Sequence, residues 1–431
     1  MNGRCLLFLA LALCGLALAC GTVHIPQRIP ASDLMSNQSQ EFDDFPLSQR
    51  NYARVDFHAL DRSIDTLLNE AVSDEMPPSA VIAVGDETGL ILRRAFGFAR
   101  LEPGRAQPAR IETMYDMASL TKCIATTTAI MQLWERGEID LDAPIITYLP
   151  EYDNNGKEAI TVRQCLTHTA GFKPFYKLWE EVNSGEEARW FIENCTPDWE
   201  PGTVYRYSDV GYVTLAWIVE RVSGQRLDAY CRDNIFQPLG MTNTMFTPPE
   251  ALRSMCAATE FDQQMRHEMI QGFVHDENAA FLGGVAGHAG LFSTVTDVAT
   301  FCTMLLRGGE LRGQRILKPE TIAEMTRIQI DMEDADDNPV ARGLGWWLRA
   351  RGGFLASCGG RQFSDATFGH TGYTGPALQI DPERGVYAIF LANRVHARSD
   401  QWTNPEFRAE SWRRFRPIRV AFFDTVADKL H

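Results

Sequence analysis

Strand-forming segments lie near both ends of this chain, and a long run of helical patterns separates them. Near the start, "SAVIAVGDETGLILRRAFGFA" from Ser79 contains two apolar, β-rich runs around a Gly-containing turn, which predicts a hairpin. Short strand patterns return late, in "GLGWWLR" from Gly343, "PALQIDPE" from Pro376 and "GVYAIFLANR" from Gly385. This order predicts an α+β fold in which an antiparallel sheet is assembled from both chain ends and a helical region is inserted between them.

Helical patterns open and close this arrangement. Apolar residues recur at helical spacing from Phe57 through Leu60, Ile64 and Leu68, which predicts an amphipathic helix. The stretch "RRFRPIRVAFFDTVADKL" from Arg413 predicts a closing helix. We therefore expect helices from both ends of the chain to flank the sheet.

The chain has 431 residues, and its first part has the pattern of an export signal. Residues 1–19 contain a short apolar core followed by small residues, and "LALAC" ends at Cys20, which resembles a bacterial lipoprotein signal. Residues 20–50 are polar with scattered Pro and are interpreted as a flexible tether. Residues 51–431 are then the folded domain, with the helical region at about 123–310.

The seven cysteines after residue 20 are scattered, odd in number and without a C-x-x-C pattern. Buried free thiols are therefore the expectation, although one or two disulfides remain open for an exported protein. They are Cys123, Cys165, Cys195, Cys231, Cys256, Cys302 and Cys358.

A hydroxyl and an ammonium share one turn of the apolar helix predicted between Met114 and Gly137. Ser119 and Lys122 are three residues apart, so their side chains point the same way. Burial lowers the pKa of a lysine, and a neutral amine beside a hydroxyl is a general base beside a nucleophile. S-x-x-K is nevertheless a short pattern that also arises by chance, so this turn needs chemical partners elsewhere in the chain.

A first partner is "YSD" at Tyr207, just before a predicted helix. A tyrosine can relay a proton if its hydroxyl faces Ser119. The alternatives are an ordinary buried tyrosine and, for Asp209, a helix N-cap.

A second partner is "HTG" at His370, which leads into a predicted strand. Gly372 allows a substrate backbone to approach closely, and a strand edge can donate N–H groups to an oxyanion. The alternative for His370 is a structural histidine.

Together these motifs resemble the serine β-lactamase and penicillin-binding protein superfamily, which carries S-x-x-K, an S-D-N-type motif and K-T-G in that order. The tyrosine of the second motif points to the class C branch, which includes carboxypeptidases, peptidases and esterases. The resemblance covers about residues 55–425 and implies a five-stranded antiparallel sheet flanked by helices, with an all-helical region inserted. Supporting stretches are "ITVRQCLTHTAGF" from Ile160, "LDAPIITYLPEY" from Leu141, "GGVAGHAGLFSTVTDVATF" from Gly283 and "RGLGWWL" from Arg342.

The resemblance also implies roles for individual residues. Ser119 is the nucleophile that forms an acyl-enzyme, and Lys122 and Tyr207 share the role of base. The backbone N–H groups of Ser119 and Tyr373 form the oxyanion hole. The residues expected to bind substrate are Asp209, His370, Thr371 and Gly372.

No cofactor or metal ion is expected. "HEMIQ" at His267 briefly resembles the H-E-x-x-H motif of zinc proteases, but its fifth residue is Gln271, so the second ligand is missing. A net charge of −15 disfavours a nucleic-acid-binding protein, which would show a basic face.

The predicted function is a serine hydrolase acting on a peptide derived from the cell wall, as a D-Ala carboxypeptidase or muropeptide amidase. Two positions depart from the class C pattern: Asp209 replaces Asn, and His370 replaces the Lys that helps to hold a substrate carboxylate. An esterase, a weak β-lactamase and a non-catalytic cell-wall-binding lipoprotein therefore remain open as alternatives. We expect the protein to be exported and anchored in a membrane by lipid on Cys20, facing the periplasm or the cell surface; simple secretion is the alternative. The sequence leaves the oligomeric state open.

Overall fold

The computed structural model describes most of the predicted domain. The predicted signal peptide, the tether and Cys20 lie outside the described residues, so those predictions stay predictions. Within the part of the chain that is described, no helix is long and apolar enough to cross a membrane. The described residues are 57–102, 104–263, 265–334, 337–397 and 406–430.

The strands are mostly short. In chain order they are β1 Ser79–Asp86, β2 Gly89–Arg100, β3 Gln107–Pro108, β4 Tyr115–Asp116, β5 Met245–Phe246, β6 Ala258–Asp262, β7 Glu268–Gln271, β8 Leu291–Ser293, β9 Glu310–Leu311, β10 Gln314–Arg315, β11 Ile330–Glu333, β12 Pro339–Arg342, β13 Trp347–Leu348, β14 Phe368–Thr371, β15 Ala377–Asp381 and β16 Val386–Ala392.

The longest helices lie at the two ends of the chain and in the inserted region. In chain order the α-helices are α1 Phe57–Ser73, α2 Thr128–Glu135, α3 Val162–Thr167, α4 Leu178–Glu181, α5 Gly185–Asn194, α6 Asp209–Ser223, α7 Leu227–Cys231, α8 Gln237–Leu239, α9 Glu250–Arg253, α10 Glu277–Phe281, α11 Val295–Leu306, α12 Pro319–Thr326 and α13 Phe407–Lys429.

A large antiparallel sheet confirms the predicted α+β fold. Its strand order is β11-β12-β13-β14-β15-β16-β1-β2-β3, so the first strand pairs with the last, with Ile82 opposite Phe390. The sheet has nine strands where the resemblance implied five. β13 lies in the predicted stretch "GLGWWLR". The strands that no pattern predicted, β3, β11, β12 and β14, have two to four residues each, which is too short to leave a periodic pattern in the sequence.

Both faces of the sheet are covered, which is why every residue of β1 is buried. Alternate side chains of a strand point to opposite faces. Ile82 packs in the cluster that contains α1 and α13, whereas Val81 packs in the larger cluster built from the inserted helices. Helices from both chain ends therefore cover one face, as predicted.

The inserted region is largely helical, but it is not all-helical. It contains β5–β8, and β4 and β5 both pair with β8. The predicted helix from Met114 also begins later, because Tyr115–Asp116 forms β4; a π-helical segment Lys122–Thr127 precedes α2. The seven described cysteines are all buried and free, which confirms the expectation for them.

Candidate active site

Ser119 lies in the turn between β4 and the π-helical segment. The residue before it, Ala118, has a φ of 44°, a left-handed conformation that is rare for a residue with a side chain. The Ala118 N–H donates to Oδ1 of Asp116 at 2.8 Å, and this hydrogen bond helps to hold the turn. Backbone strain of this kind is a feature of functional sites. The turn leaves the Ser119 side chain partly exposed while its neighbours are buried.

The structure brings Lys122 to Ser119 as the S-x-x-K spacing predicts. The fully buried Lys122 Nζ donates to Ser119 Oγ at 3.0 Å and to the carbonyl oxygen of His288 at 3.0 Å. It also forms an ion pair with Asp209 Oδ1 at 2.7 Å. An ammonium has three N–H donors, and these contacts engage all three.

The predicted lowering of the Lys122 pKa is wrong. Burial does lower the pKa of Lys122, but the charge of Asp209, together with Tyr207, outweighs burial, so that this pKa lies above its usual value. The sequence interpretation considered burial alone and placed Asp209 in contact with the substrate or at a helix cap. In the structure Asp209 is the counter-ion of Lys122, and the lysine is a charged hydrogen-bond donor at neutral pH.

Tyr207 lies over the ammonium, with Lys122 Nζ 5.0 Å from the centre of its ring. The imidazole of His168 stacks on the Tyr207 ring at a centroid distance of 4.2 Å. The Tyr207 hydroxyl is buried and makes no hydrogen bond of regular geometry within the described residues, although its interaction with Lys122 contributes to the raised pKa of that lysine. Its oxygen is therefore available to exchange a proton with a substrate group or with Ser119.

His370, Thr371 and Gly372 run along the end of β14 beside Ser119. A Cβ on Gly372 would lie 2.7 Å from the carbonyl oxygen of Met117, so only glycine allows the strand to approach this turn so closely. His370 Nδ1 is 2.8 Å from the carbonyl oxygen of Thr371, which places the proton of the neutral ring on Nδ1 and leaves Nε2 as an acceptor. Burial, and then the charges of Arg342 and Lys122, hold the pKa of His370 well below its usual range.

The oxyanion hole remains a prediction, and its two proposed donors, Ser119 and Tyr373, lie in turns that line the same cavity. Neither the Ser119 N–H nor the Tyr373 N–H donates to another backbone group in the described loops and turns. The turn that contains Tyr373 is held by the Thr374 hydroxyl, which donates to the carbonyl oxygen of Asp116 at 2.8 Å. Two free N–H groups beside a nucleophile can bind the oxygen of a tetrahedral intermediate.

A cavity of about 510 Å³ opens beside Ser119. It brings six of the predicted site residues to one surface, whereas Lys122 and Asp209 lie behind that surface. The lining residues are Ser119, Tyr207, Trp347, Phe354, His370, Thr371, Gly372, Tyr373, Arg394, Ala409 and Trp412.

Sequence reasoning missed several residues of this site. His168 and Trp347 lie within stretches that supported the family resemblance, but no pattern assigned them a position next to Tyr207. Arg394 and Trp412 gave no signal, because each is a single residue whose place depends on how the end of the chain packs.

Two carboxylates and a histidine near Lys122 have the composition of a candidate metal site. Asp209, Asp276 and His288 each offer a ligand atom, and these atoms lie within 4.8 Å of one another. Each carboxylate already has a partner, since Asp209 contacts Lys122 and Asp276 Oδ1 is 2.8 Å from His288 Nε2. The lysine ammonium supplies positive charge at this place, so the group does not fit a divalent cation.

His275, like His288, had no predicted role, and it supports the turn of Tyr373. Its backbone N–H donates to Asp116 Oδ2 at 2.6 Å, and its ring stacks on Tyr373 at 5.7 Å. Burial lowers its pKa, but the hydrogen bond to Glu260 outweighs burial and raises the pKa above its usual value.

Comparisons with known proteins point to one family. A family model described as Beta-lactamase matches residues 64–410. A protein of Salmonella agona described as "Putative D-alanyl-D-alanine carboxypeptidase" is 33% identical over 358 residues, which cover 74% of this chain and 79% of the relative.

Solved structures show the same fold. A penicillin-binding protein homologue from Caulobacter crescentus has a TM-score of 0.67 at 21% identity, covering 87% of this chain and 97% of its own. A class C β-lactamase has a TM-score of 0.65 at 17% identity, covering 86% and 98%.

Proposed function

Because this chain belongs to the beta-lactamase family and is a serine hydrolase, we propose that it removes the terminal residue from cell-wall peptides that end in D-alanyl-D-alanine. The observation that carries the proposal is the hydrogen bond of 3.0 Å from Lys122 to Ser119 Oγ at the wall of a cavity that Tyr207 also lines. A relative that covers most of this chain is described as a carboxypeptidase of this type.

In the proposed mechanism Ser119 Oγ attacks the carbonyl carbon of the penultimate D-alanine. Lys122 is an ammonium and has no lone pair, so it holds the hydroxyl by a hydrogen bond and does not take its proton. Tyr207, as the phenolate, accepts the proton of Ser119. The N–H groups of Ser119 and Tyr373 bind the oxyanion of the tetrahedral intermediate.

Collapse of that intermediate breaks the amide bond. The Tyr207 hydroxyl returns the proton to the leaving nitrogen, and D-alanine departs while the peptide remains as an ester on Ser119. A water molecule then gives its proton to Tyr207 and attacks the ester. As the ester bond breaks, Tyr207 returns that proton to Ser119 Oγ and the shortened peptide is released.

The cavity offers a cation for the carboxylate of such a substrate. Arg394 lines it, with its guanidinium carbon 4.5 Å from the ring centre of Tyr373. His370 is neutral and does not supply this charge. Arg394 is thus the proposed partner of the substrate carboxylate, and Thr371 and Gly372 lie along the strand edge where the peptide backbone would bind.

An esterase is the second candidate, and the lining of the cavity favours it. Tyr207, Trp347, Phe354, Tyr373 and Trp412 give the cavity an aromatic wall. Such a wall also suits a neutral, apolar acyl group.

The test is to incubate purified protein with an acylated L-Lys-D-Ala-D-Ala peptide and with p-nitrophenyl acetate, and to measure released D-alanine by mass spectrometry. Wild type should release D-alanine, and Ser119→Ala should hydrolyse neither substrate. Ser73→Ala, at an exposed serine of α1, is the matched control and should behave as wild type. Ester hydrolysis without D-alanine release would support the esterase, and wild-type rates in Ser119→Ala would contradict the nucleophile.

We also propose that the protein is exported and held in a membrane by lipid on Cys20, as the "LALAC" pattern indicates. Metabolic labelling with a radioactive fatty acid tests this. Label in the wild type and none in Cys20→Ala would support the anchor, and an unlabelled wild-type protein in the soluble fraction would contradict it.

A further inference from the structure

Arg342, the last residue of β12, is a buried cation with no carboxylate beside it in the described part of the chain. Its side chain is fully buried, and none of its three guanidinium nitrogens makes a hydrogen bond of regular geometry there. The neutral hydroxyl of Tyr205 is the group near enough to interact with it as a weak acceptor, and it does not balance the charge. Its guanidinium carbon lies 4.2 Å from the ring centre of Trp347 and 5.8 Å from that of Tyr207. Burying a charge without a partner is costly, so this residue requires an explanation.

The charge of Arg342 acts on the groups around it. The pKa of His168 and the pKa of His370 both lie well below their usual range, chiefly because of burial and next because of Arg342. Burial raises the pKa values of Tyr205 and Tyr212, and Arg342 opposes this increase in both. The positive charge of Arg342 therefore interacts electrostatically with all four of these side chains.

Lys122 also lowers the pKa values of His168 and His370, but to a smaller extent than Arg342 does. Its charge is paired with Asp209 at 2.7 Å, whereas Arg342 has no such anion beside it among the described residues. His370, which replaces the lysine of K-T-G, is neutral. Arg342 is then the cation near Tyr207 whose charge remains uncompensated in the described part of the chain.

We propose that Arg342 is a positioning residue for the proton transfer at Tyr207, which it promotes by stabilising the phenolate electrostatically. The proposal rests on the proposed mechanism, in which the proton of Ser119 passes to the Tyr207 oxygen. Arg342 supplies from β12 a positive charge that His370 cannot supply from β14. The titratable and charged groups that face Tyr207 are Lys122, Asp209, His168, Tyr205, Tyr212, Arg342 and His370.

The first test compares Arg342→Met with Arg342→Lys, using p-nitrophenyl acetate from pH 5.5 to 9.5. Arg342→Met should lower kcat/KM at pH 7 by roughly ten- to hundredfold, a fraction of the effect of an acid–base catalyst, and should move the acid limb of the profile to higher pH. Arg342→Lys retains the charge and should restore most of the rate and the wild-type limb.

Arg349→Met is the matched control. Arg349 is also buried, but it donates to the carbonyl oxygens of Gly359 and Arg361 at 3.2 and 3.1 Å, so its role is structural. This variant should lower Tm and leave the acid limb in place. The same behaviour in Arg342→Met would overturn the proposal.

A second measurement does not depend on activity. With labelled histidine, NMR titration should show the His168 and His370 resonances titrating at higher pH in Arg342→Met than in wild type, because a nearby positive charge has been removed. Unchanged titrations would contradict the proposal even if the enzyme lost activity. If Arg342→Met does not fold, Arg342→Lys decides: a wild-type acid limb supports the charge, and a shifted limb contradicts it. Failure of the proposed function is distinguishable, since the wild type would then hydrolyse the ester without releasing D-alanine, whatever the pH profile of Arg342→Met.

Discussion

Two buried positive charges flank Tyr207, and their surroundings differ. On one side, here called the paired side, Lys122 contacts Asp209, and His288 contacts Asp276. On the other, here called the unpaired side, Arg342 lies among neutral rings, including those of His168 and His370. Both cations are fully buried, so burial alone does not decide how each one behaves.

The difference lies in what balances each charge. An anion at 2.7 Å keeps Lys122 protonated and fixes its three hydrogen bonds, which suits a group that must hold Ser119 in one place. A cation without a counter-ion exerts its field on whatever lies nearby, which suits a group that must act at a distance. Lys122 thus holds Ser119 by a hydrogen bond, whereas Arg342 acts on Tyr207 through its charge. Substitutions can test whether the two roles are separate.

Of the substitutions that test this difference, loss of Lys122 should lower activity and stability the most. Lys122→Met removes the donor to Ser119 and leaves Asp209 without its cation. We expect kcat/KM for p-nitrophenyl acetate to fall roughly thousandfold. We expect the unfolding free energy to fall by about 1–3 kcal/mol, because the partly buried Asp209 carboxylate loses its partner. Urea denaturation measures the second quantity. A variant with more than a tenth of the wild-type rate would show that Ser119 does not depend on this ammonium.

Asp209→Asn should lower kcat/KM by an intermediate amount, because it leaves Lys122, like Arg342, without a counter-ion. A lysine pKa raised in the folded state adds stability that is complete below its unfolded value of 10.5 and disappears as pH rises through the folded value. Without Asp209, burial lowers the Lys122 pKa instead. We expect about tenfold lower kcat/KM at pH 9 than in wild type, with a smaller loss at pH 6, because a shift of one pKa unit changes the ionised fraction about tenfold.

The pH profile of this variant distinguishes the charge from the hydrogen bond. Asparagine can still accept a hydrogen bond from Lys122, so this variant removes the negative charge and keeps the acceptor. A weaker hydrogen bond alone would lower the rate equally at all pH values. A rate loss that does not vary between pH 6 and pH 9 would therefore contradict the role of Asp209 as counter-ion.

The smallest expected effect is that of pH on the charge of His370, and so on substrate preference, in the wild-type enzyme. Because its pKa lies well below the usual range, His370 should stay neutral from pH 5.5 to 8.5. The ratio of kcat/KM for a D-Ala-terminated peptide to kcat/KM for a neutral ester should then change less than about twofold over this range. A ratio that rises steadily towards low pH would mean that His370 becomes charged and binds the carboxylate. It would also mean that Arg342 does not control this ring.

Spacing along the chain predicted the contacts that are local. Ser119 and Lys122 are one helical turn apart, so their proximity follows from the period of the helix. The hairpin of β1 and β2 was also predictable, since both strands and their turn lie in one stretch. The sheet could be expected because strand patterns occur at both chain ends.

Contacts between distant segments were not predictable in this way. The protonation of Lys122 depends on Asp209, which approaches from the start of α6, and no periodicity shows which carboxylate reaches a given ammonium. Arg342 lies in a stretch that supported the family resemblance, but an arginine on a short strand looks the same in sequence whether it is exposed or buried. Electrostatic roles depend on burial and on partners, and both emerge only from the tertiary fold.

The pairing of β1 with β16 has a consequence for the order in which the enzyme becomes active. A ribosome completes Ser119, Lys122 and Tyr207 early, but it makes Arg394 and Trp412 of the cavity wall near the end of synthesis. A chain cut before Val386 contains the nucleophile and its neighbours, yet it lacks the strand that closes the sheet and part of the cavity. A nascent or truncated chain should therefore not hydrolyse esters, and activity should begin only after the last strand and helix have been translated.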